Sequence, residues 1–377
     1  MNVTRPDMPK LTEYTNYLQE IWESGQLTND GKLVRELKNS LEEYLKVKNI
    51  SLVSNGTLAL QLAIRSLKIK GEVITTPYTF IATTNAILWE GAIPVFADID
   101  SHTYNISPAE VEKRITAKTE AILAVHVYGS PCYIQELQEI ADKYNLSLIF
   151  DAAHAFGVEQ DNKSILRYGD ITTLSMHATK VFHCIEGGAV ITKDRDIKEC
   201  IEMMRNHGIQ NEFNIPRIGT NAKLSEFHAA MGLCNLKNID NSIYRRSKIY
   251  KQYVELLSDL NVQFQEIKAS RYNYSYMPIV FENKNIRDMV YNILKDHTVN
   301  ARKYFYPLVT EATQFSKTYN YMPAAKKISD GVLCLPIYPS MNESDVNYIC
   351  DIIKNVVGNK CSIDLKNNFL DKSILIT

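Results

Sequence analysis

The stretch ISLVSNGTLALQLAIRSL, residues 50–67, predicts a strand, a turn and a helix in immediate succession. It opens with a short apolar run and continues with the turn formers Ser54, Asn55 and Gly56. From Thr57 onward, Ala, Leu and Gln give the segment a helical composition. A strand followed at once by a helix is the unit from which parallel sheets are built.

The same unit recurs along the next hundred residues. Apolar runs alternate with helical patterns at residues 72–76, 79–89, 94–98, 121–127, 134–144 and 147–150. Strands that alternate with helices of about 10 to 15 residues predict βαβ units and a mostly parallel sheet with helices on both faces. The predicted fold class is therefore α/β, and ligands of such sheets bind outside the carboxyl ends of the strands.

Composition divides the 377 residues into three predicted parts. Residues 34–240 hold the strand and helix alternation and form a large domain. Residues 241–377 are richer in Tyr, Lys and Asn, begin with a helical stretch at 242–257 and predict a smaller C-terminal domain. Residues 1–33 are too few to fold alone, so we expect them to pack on the small domain or on a partner subunit. The sequence assigns no role to the tail after Gly358.

Charge and cysteine usage narrow the class of protein. Lys and Arg number 42 and Asp and Glu 43, so the formal charge is −1 and no basic stripe predicts nucleic-acid binding. No apolar run approaches the roughly 18 residues of a membrane span, and no leader precedes the first domain, so we expect a cytoplasmic protein. The seven dispersed cysteines lack a C-x-x-C pair and predict reduced thiols.

The stretch GDITTLSMHATKVFHCIEGGAVIT, residues 169–192, carries candidate chemistry. Two β-like runs flank a polar loop that contains Ser175, His177, Thr179 and Lys180. A lysine in this position can be an ordinary surface residue whose ammonium group reaches water. It can also be a Schiff-base lysine, whose amine attacks a carbonyl once its pKa falls from about 10.4. The spacing alone leaves both alternatives open.

Pyridoxal phosphate, the usual partner of such a lysine, needs further groups. A carboxylate must keep the pyridinium nitrogen protonated, and Asp151 follows an apolar strand, although aspartates there are also common turn formers or helix caps. The phosphate needs amides and hydroxyls, and Gly56 and Thr57 open a helix whose N-terminus favours an anion. Ser175 can add a hydroxyl, and Phe80 an aromatic platform.

Two other cofactor hypotheses are weaker. His126, His177 and His183 are not at i, i+4 helical spacing with an acidic residue, so core or loop histidines are favoured and no metal site is predicted. Gly187-Gly188 lacks the G-x-G-x-x-G pattern that follows a strand in nicotinamide-binding proteins.

Seven motifs occur in one order along the chain. They are SGQLTNDGKLV from residue 24, SNGTLALQLAI, TTPYTFIATTNAILWEGAIPVFADID, HVYGSPC, DAAHAFG, SMHATKVFHCIEGGAVIT and GTNAKLSEFHAAMGL from residue 219, with weaker echoes at RKYFYPL and LPIYPSM. Together they resemble the fold-type I, pyridoxal-phosphate-dependent aminotransferases of the DegT/DnrJ/EryC1/StrS group, which act on nucleotide-linked keto-sugars.

The resemblance implies a role for each matching residue. Lys180 matches the lysine that binds the cofactor and shuttles its proton, and Asp151 matches the partner of the pyridinium nitrogen. Phe80 matches the stacking aromatic, and His154 a residue beside the ring and its phenolic oxygen. The implied phosphate cup consists of Gly56, Thr57, the Leu58 backbone and Ser175.

One further match implies a homodimer. Asn221 corresponds to an asparagine that reaches the phosphate from the neighbouring subunit, so each active site would be shared between two chains. The following Ala222-Lys223 departs from the Tyr-Arg of many relatives, which leaves the local contacts with the substrate open.

The resemblance also implies a reaction. Lys180 is intact, whereas a dehydratase branch of the family has histidine there, so transamination is favoured. DAAHAFG and GTNAKLSEFHAA resemble the enzymes that aminate C4 of dTDP-4-keto-6-deoxyglucose, with glutamate as the implied donor and a surface polysaccharide as destination. The alternatives are a 3-aminotransferase, a GDP-perosamine-type synthase and a non-catalytic regulatory homologue.

Overall fold

A seven-stranded sheet forms the centre of the computed structural model, which describes residues 1–312 and 321–370, with side chains to residue 358. In sheet order the strands are β1 (Ile50–Val53), β9 (Gly188–Thr192), β8 (Ile171–Ser175), β5 (Ser147–Asp151), β4 (Thr119–Val125), β2 (Glu72–Thr75) and β3 (Ile93–Phe96). β9 is antiparallel to both of its neighbours, and the other pairs are parallel. The prediction of a mostly parallel α/β sheet is confirmed.

The antiparallel strand has a local cause. β8 and β9 are joined by the polar loop that follows Ser175, and Ser175 pairs directly with Gly188. Parallel neighbours are joined by a crossover that is usually helical, whereas this loop has none and returns the chain beside itself. The loop therefore remains at the carboxyl end of β8, where the sequence places Lys180.

Helices pack on both faces of the sheet, and the first two helices precede β1 in the chain. They are α1 (Leu11–Ser24), α2 (Lys32–Tyr44), α3 (Gly56–Ser66), α4 (Ile81–Trp89), α5 (Pro108–Lys113), α6 (Ile134–Tyr144), α7 (Arg195–Met204) and α8 (Glu226–Leu236). The helix predicted at 79–89 begins at Ile81, two residues later than expected, because Phe80 has extended backbone angles. The buried hydroxyls of Thr79 and Thr83 then lie 2.9 Å apart across the first turn.

A smaller antiparallel sheet follows in the chain. Its strands are β10 (Val262–Phe264), β11 (Met277–Phe281) and β12 (Val332–Leu335), and the short hairpin β6 (Glu159–Gln160) and β7 (Lys163–Ser164) stands apart. The remaining helices are α9 (Ile239–Leu257), α10 (Lys284–Asp296), α11 (Pro323–Gly331) and α12 (Glu343–Leu370). Many side chains of this part form an apolar cluster. Others, among them Val280, Val332 and Cys334, join an apolar cluster of the large sheet. We propose that the large domain ends and the small domain begins near residue 240.

The first residues of the chain connect both parts. The amide of Ile337 donates to the carbonyl of Val3 over 3.0 Å, beside the small sheet. Further along, α1 packs against α8, and its Trp22 ring meets the Phe227 ring edge to face, with 5.9 Å between centroids. Six cysteines are buried and free of disulfides, while Cys361 lies outside the residues whose side chains are described. Among the described residues, no helix is both long and apolar enough to cross a membrane.

A buried glutamate fastens α2 to α8. Glu226, whose residue surface is 2% exposed, accepts hydrogen bonds from the amides of Leu33, at 2.8 Å, and Val34, at 3.2 Å. These amides belong to the first turn of α2 and have no partner inside the helix. A Cβ atom at Gly31 would lie 2.5 Å from the Glu226 carboxyl carbon, so a larger residue there would have to displace this carboxylate.

Replacing Glu226 by alanine should therefore destabilise the fold by about 1–3 kcal/mol, because two amides lose their acceptor inside the protein. The measurement is the urea midpoint of unfolding, followed by circular dichroism. Glu139→Ala, on the exposed face of α6, is the matched control and should leave the midpoint unchanged. Equal midpoints for the two variants would show that the cap contributes nothing.

Candidate active site

A cavity of about 320 Å³ opens at the carboxyl ends of β5 and β8, beside the N-terminus of α3. This is the edge where parallel sheets bind ligands. The predicted site residues that line it are Gly56, Thr57, Phe80, Asp151, His154, Ser175 and Lys180. Residues scattered over 125 positions of sequence, from Gly56 to Lys180, therefore meet in one place.

One end of the cavity is suited to an anion. Asn55 caps α3, and its side chain accepts a hydrogen bond of 2.9 Å from the Leu58 amide. The amides of Gly56 and Thr57 lie ahead of that bond, in the first turn, where a helix offers unpaired N–H groups and the positive end of its dipole. Leu58 does not line the cavity, and its place in a phosphate cup stays a prediction.

Glycine is required where α3 meets the sheet. A Cβ atom at Gly56 would lie 2.8 Å from the Cβ of Ser175, and one at Gly188 would lie 2.5 Å from the Asn55 carbonyl oxygen. Real side chains do not tolerate such distances, so any larger residue would push the helix away from Ser175. The two glycines thus hold the Ser175 hydroxyl against the helix N-terminus.

Asp151 ends β5 and is fixed by two hydrogen bonds. Its Oδ2 accepts from the Thr83 hydroxyl at 2.9 Å, and its Oδ1 accepts from the Ala153 amide at 3.0 Å. Burial raises the pKa of this carboxyl, and the two hydrogen bonds and the charge of Lys180 oppose the rise. The sequence did not single out Thr83, although it lies three residues after Phe80 on a helical pattern that faces the same cavity.

Lys180 lies half-buried in the loop between β8 and β9. Burial lowers the pKa of its amine to about 8, with Asp151 acting in the opposite direction and Arg302 lowering it further. An amine with this pKa is partly uncharged near neutral pH, which is the state that attacks a carbonyl.

An aromatic wall encloses His154. Its Nδ1 accepts from the Tyr128 amide at 3.2 Å, and its ring lies parallel to that of Phe305, with 6.0 Å between centroids. Burial holds the pKa of His154 well below its usual value, so the ring is neutral. Phe80, which also lines the cavity, is 51% exposed.

Several lining residues were missed by sequence reasoning. Tyr276, Arg302, Tyr304 and Phe305 come from the predicted small domain, and Glu186 lies at the rim with its Oε1 3.5 Å from His177 Nε2. The only signal for three of them was the RKYFYPL stretch, which was noted as an echo without a role. Their approach to the large sheet depends on how the two parts of the chain pack, which no local pattern encodes.

Asn221 does not line the cavity of its own chain. Its residue is exposed and forms an isolated β-bridge with Asn206, whose side chain also accepts from Lys223 Nζ at 2.6 Å. The predicted role of Asn221 in the partner subunit's site stays a prediction.

The three histidines considered for a metal are dispersed. His126 is buried against the Phe150 ring, with 4.8 Å between centroids, and His183 Nε2 lies 2.9 Å from the Asp7 carbonyl oxygen. His177 is at the cavity rim. Within the described part of the chain, no three His, Cys, Asp or Glu residues are placed to share a metal ion.

The donor set of the cavity fits pyridoxal phosphate. A helix N-terminus with Ser175 suits the phosphate, a buried carboxylate suits a pyridinium N–H, and an amine of lowered pKa suits the aldehyde carbon. None of these features alone is specific for pyridoxal phosphate, but their combination in one cavity is.

Comparisons with known proteins agree with a pyridoxal phosphate site. The model of the DegT/DnrJ/EryC1/StrS aminotransferase family matches residues 10–354. The chain is 42% identical to dTDP-4-amino-4,6-dideoxy-D-glucose transaminase of Shigella dysenteriae, covering 94% of this chain and 98% of that one. It is 32% identical to GDP-perosamine synthase of Escherichia coli O157:H7, covering 93% and 98%. The solved structure of DesI with its TDP-sugar product superposes with a TM-score of 0.91 at 32% identity, covering 97% and 95%.

The chain belongs to the DegT/DnrJ/EryC1/StrS aminotransferase family, as its motifs predicted. It is accordingly a sugar aminotransferase dependent on pyridoxal phosphate.

The electrostatics of the cavity predict a titration that can be measured without cofactor. In the cofactor-free chain, acetylation of Lys180 by acetic anhydride, followed by mass spectrometry, should rise with pH through a midpoint near 8. Asp151→Asn removes the negative charge that raises the Lys180 pKa, so its midpoint should move to lower pH. A midpoint near 10.4, or a shift to higher pH in Asp151→Asn, would contradict the description of the site.

Proposed function

We propose that this protein transfers an amino group from glutamate to C4 of dTDP-4-keto-6-deoxyglucose and so produces dTDP-4-amino-4,6-dideoxyglucose. The observation that carries the proposal is the meeting of Lys180, Asp151, Ser175 and the α3 N-terminus in one cavity. The 42% identity to a transaminase named for that aminosugar, over nearly the whole chain, supports the choice of substrate.

Each residue of the cavity then has a proposed task toward the cofactor. Lys180 would bond to pyridoxal phosphate, and Asp151 would hold its ring nitrogen. The amides of Gly56 and Thr57, the Leu58 backbone and the Ser175 hydroxyl would bind the phosphate, while Phe80 and His154 would border the ring. When bound, the cofactor supplies an electron sink for the carbon that loses its proton.

The protein supplies the proton transfer. The free Lys180 amine would be the base near the reacting carbon, and its lowered pKa would let it accept and return a proton near neutral pH. Asp151 is held in one orientation by Thr83 and Ala153, so its charge stays directed at one place. Burial on the aromatic side keeps His154 neutral, so it adds no competing positive charge.

We also infer a homodimer with shared sites. The loop before Asn221 carries three exposed apolar side chains, Phe213 at 91%, Ile215 at 64% and Ile218 at 77%. Exposed apolar side chains clustered in one loop are typical of a surface that a partner covers. Closed C2 pairing would bring each Asn221 to the other chain's site in the same way.

The alternatives have less support. Identity to the GDP-perosamine synthase is 32%, ten percentage points below that to the dTDP-sugar transaminase at similar coverage. A non-catalytic regulatory homologue would not need an amine and a buried carboxylate in one cavity, and Lys180 and Asp151 line the same one. We also propose a cytoplasmic location, which six buried cysteines without disulfides support. The proposed destination of the product is a surface polysaccharide.

The proposal is tested by trapping and by substrate choice. Borohydride reduction of the purified yellow protein and peptide mapping should place the pyridoxyl group on Lys180, and Lys180→Ala should fold yet not turn over. With glutamate present, the dTDP-linked 4-keto sugar should be aminated at least tenfold faster than its GDP-linked counterpart. A label on another lysine would refute the role of Lys180, and preference for the GDP-sugar would refute the substrate.

The shared site is tested by complementation. Asn221→Asp places a carboxylate where the phosphate dianion should bind, and the repulsion should abolish activity. Mixing Lys180→Ala with Asn221→Asp should restore activity after subunit exchange, because one site of each hybrid dimer has both residues intact. Full activity of Asn221→Asp alone, or hybrids that form without rescue, would refute the shared site.

A further inference from the structure

The N-terminal segment, residues 1–10, connects the small sheet to the loop that carries Lys180. Its start is bonded to the smaller part of the chain through the Val3 carbonyl. A few residues on, Asp7 reaches the loop at 176–187, which joins β8 to β9. None of residues 1–10 lines the candidate active site, so the segment can act on the reaction only through another residue.

The contact with the loop is made by His183, which is 2% exposed. Its Nδ1 accepts from the Ile185 amide at 3.3 Å, so the ring proton is on Nε2, which donates to the Asp7 carbonyl oxygen at 2.9 Å. Burial lowers the pKa of His183, and Asp7 opposes the fall. The charges of His177 and Arg246 add to it. The ring is therefore neutral near neutral pH and keeps one acceptor and one donor.

Asp7 is itself fixed by α9. The Ser242 hydroxyl donates to Asp7 Oδ2. One turn later, the buried Arg246 donates from Nη1 to the Ile337 carbonyl oxygen at 2.9 Å. Burial lowers the pKa of Arg246 to about 10, and the charge of Asp7 opposes this. Among the residues with described side chains Arg246 forms no ion pair, so the attraction of this buried cation holds the Asp7 carboxylate in place.

The loop has little packing on the side that faces the segment. A cavity of about 500 Å³ lies there, lined by residues 7–10 on one side and by Val181 and His183 on the other. On its inner side the loop is packed, because the Phe182 ring stacks on Phe156 with 4.4 Å between centroids. Towards the cavity it is held by hydrogen bonds, from His183 to the Asp7 carbonyl and from Asn235 Nδ2 to the His183 carbonyl at 2.9 Å.

We propose that Asp7 and His183 are positioning residues for Lys180, an assignment that rests on the proposed function. His183 follows Lys180 by three positions, a stretch of at most about 11 Å, so a shift of His183 moves the backbone that carries the amine. Catalytic groups lose much of their effect when they are displaced by about 1 Å. The N-terminal segment would thus hold the amine within reach of the reacting carbon from outside the active site.

Acetylation of Lys180 measures its placement without turnover. In the cofactor-free chain, His183→Phe removes the N–H that bonds to Asp7, so the loop should loosen and the amine should become more hydrated. The acetylation midpoint should then rise from near 8 by about one pH unit, towards the ordinary value of about 10.4. Asp7→Ala should shift it in the same direction, and it provides the test if His183→Phe does not fold. His183→Gln, whose amide can donate to the same carbonyl, should stay near the parent.

Two control variants separate placement from a general loss of stability. Glu226→Ala destabilises the start of α2 without altering the loop, and Glu13→Gln removes a charge from the 500 Å³ cavity without a contact to His183. Both should leave the acetylation midpoint near 8. An equal rise in Glu226→Ala would show that loosening of the whole fold is the cause and would overturn the proposal. Midpoints unchanged in both His183→Phe and Asp7→Ala would overturn it as well.

Turnover of the holoenzyme provides the second readout. In His183→Phe and Asp7→Ala, kcat should fall by about 10- to 100-fold, because the amine is misplaced. KM for glutamate and for the keto-sugar should each change by less than about threefold, since no residue that lines the active site is altered. A rise in KM at constant kcat would contradict a positioning role. If the parent does not aminate the sugar, the proposed function falls. If the parent and both variants turn over alike, only the assignment of Asp7 and His183 falls.

Discussion

The opposed charges of Asp151 and Lys180 are the constraint on which the site depends. Burial disfavours both charges, raising the pKa of the carboxyl and lowering that of the amine, and each charge partly offsets the cost of the other. As a result, the pKa of Asp151 lies above its ordinary value and that of Lys180 lies below it. The fold must hold both in place, which it does with the end of β5, the first turn of α4 and the loop that returns the chain from β8 to β9.

A second constraint is the close approach of backbone around the anion end of the cavity. Gly56 against Ser175 and Gly188 against Asn55 leave no room for side chains, so the α3 N-terminus is fixed relative to the strand that precedes Lys180. Glu226 has a comparable effect on the start of α2. The two glycine contacts link the α3 N-terminus to the sheet at the same edge where the charged residues gather, so anion binding and amine chemistry share one rigid frame.

Local pattern predicted much of this arrangement. Strands and helices with ordinary periodicity were found nearly at their predicted bounds, such as α6 at 134–144 and β5 at 147–151, because binary patterning and turn residues act over a few positions. The convergence of Asp151, Ser175 and the α3 N-terminus followed from the rule that parallel strands end at one edge. The role of Lys180 did not follow from spacing, which left a surface lysine equally possible, and needed the ordered motifs.

Other features were beyond local reasoning. Thr83 was missed because its partner is 68 positions away in sequence, and Arg302 and Phe305 because they reach the cavity only through packing of the smaller sheet against the larger. The proposed ligand of Asn221 belongs to another chain, so the structure of a single chain does not display this contact.

Following the nitrogen itself tests most directly whether this cavity moves an amino group from an amino acid to C4 of a dTDP-linked sugar. The protein would be incubated with [¹⁵N]glutamate and dTDP-4-keto-6-deoxyglucose, and the product examined by NMR. We expect ¹⁵N bonded to C4 of the sugar, with one 2-oxoglutarate formed for each amine transferred. Nitrogen at C3, or an unlabelled sugar from protein that is folded and loaded with cofactor, would contradict it.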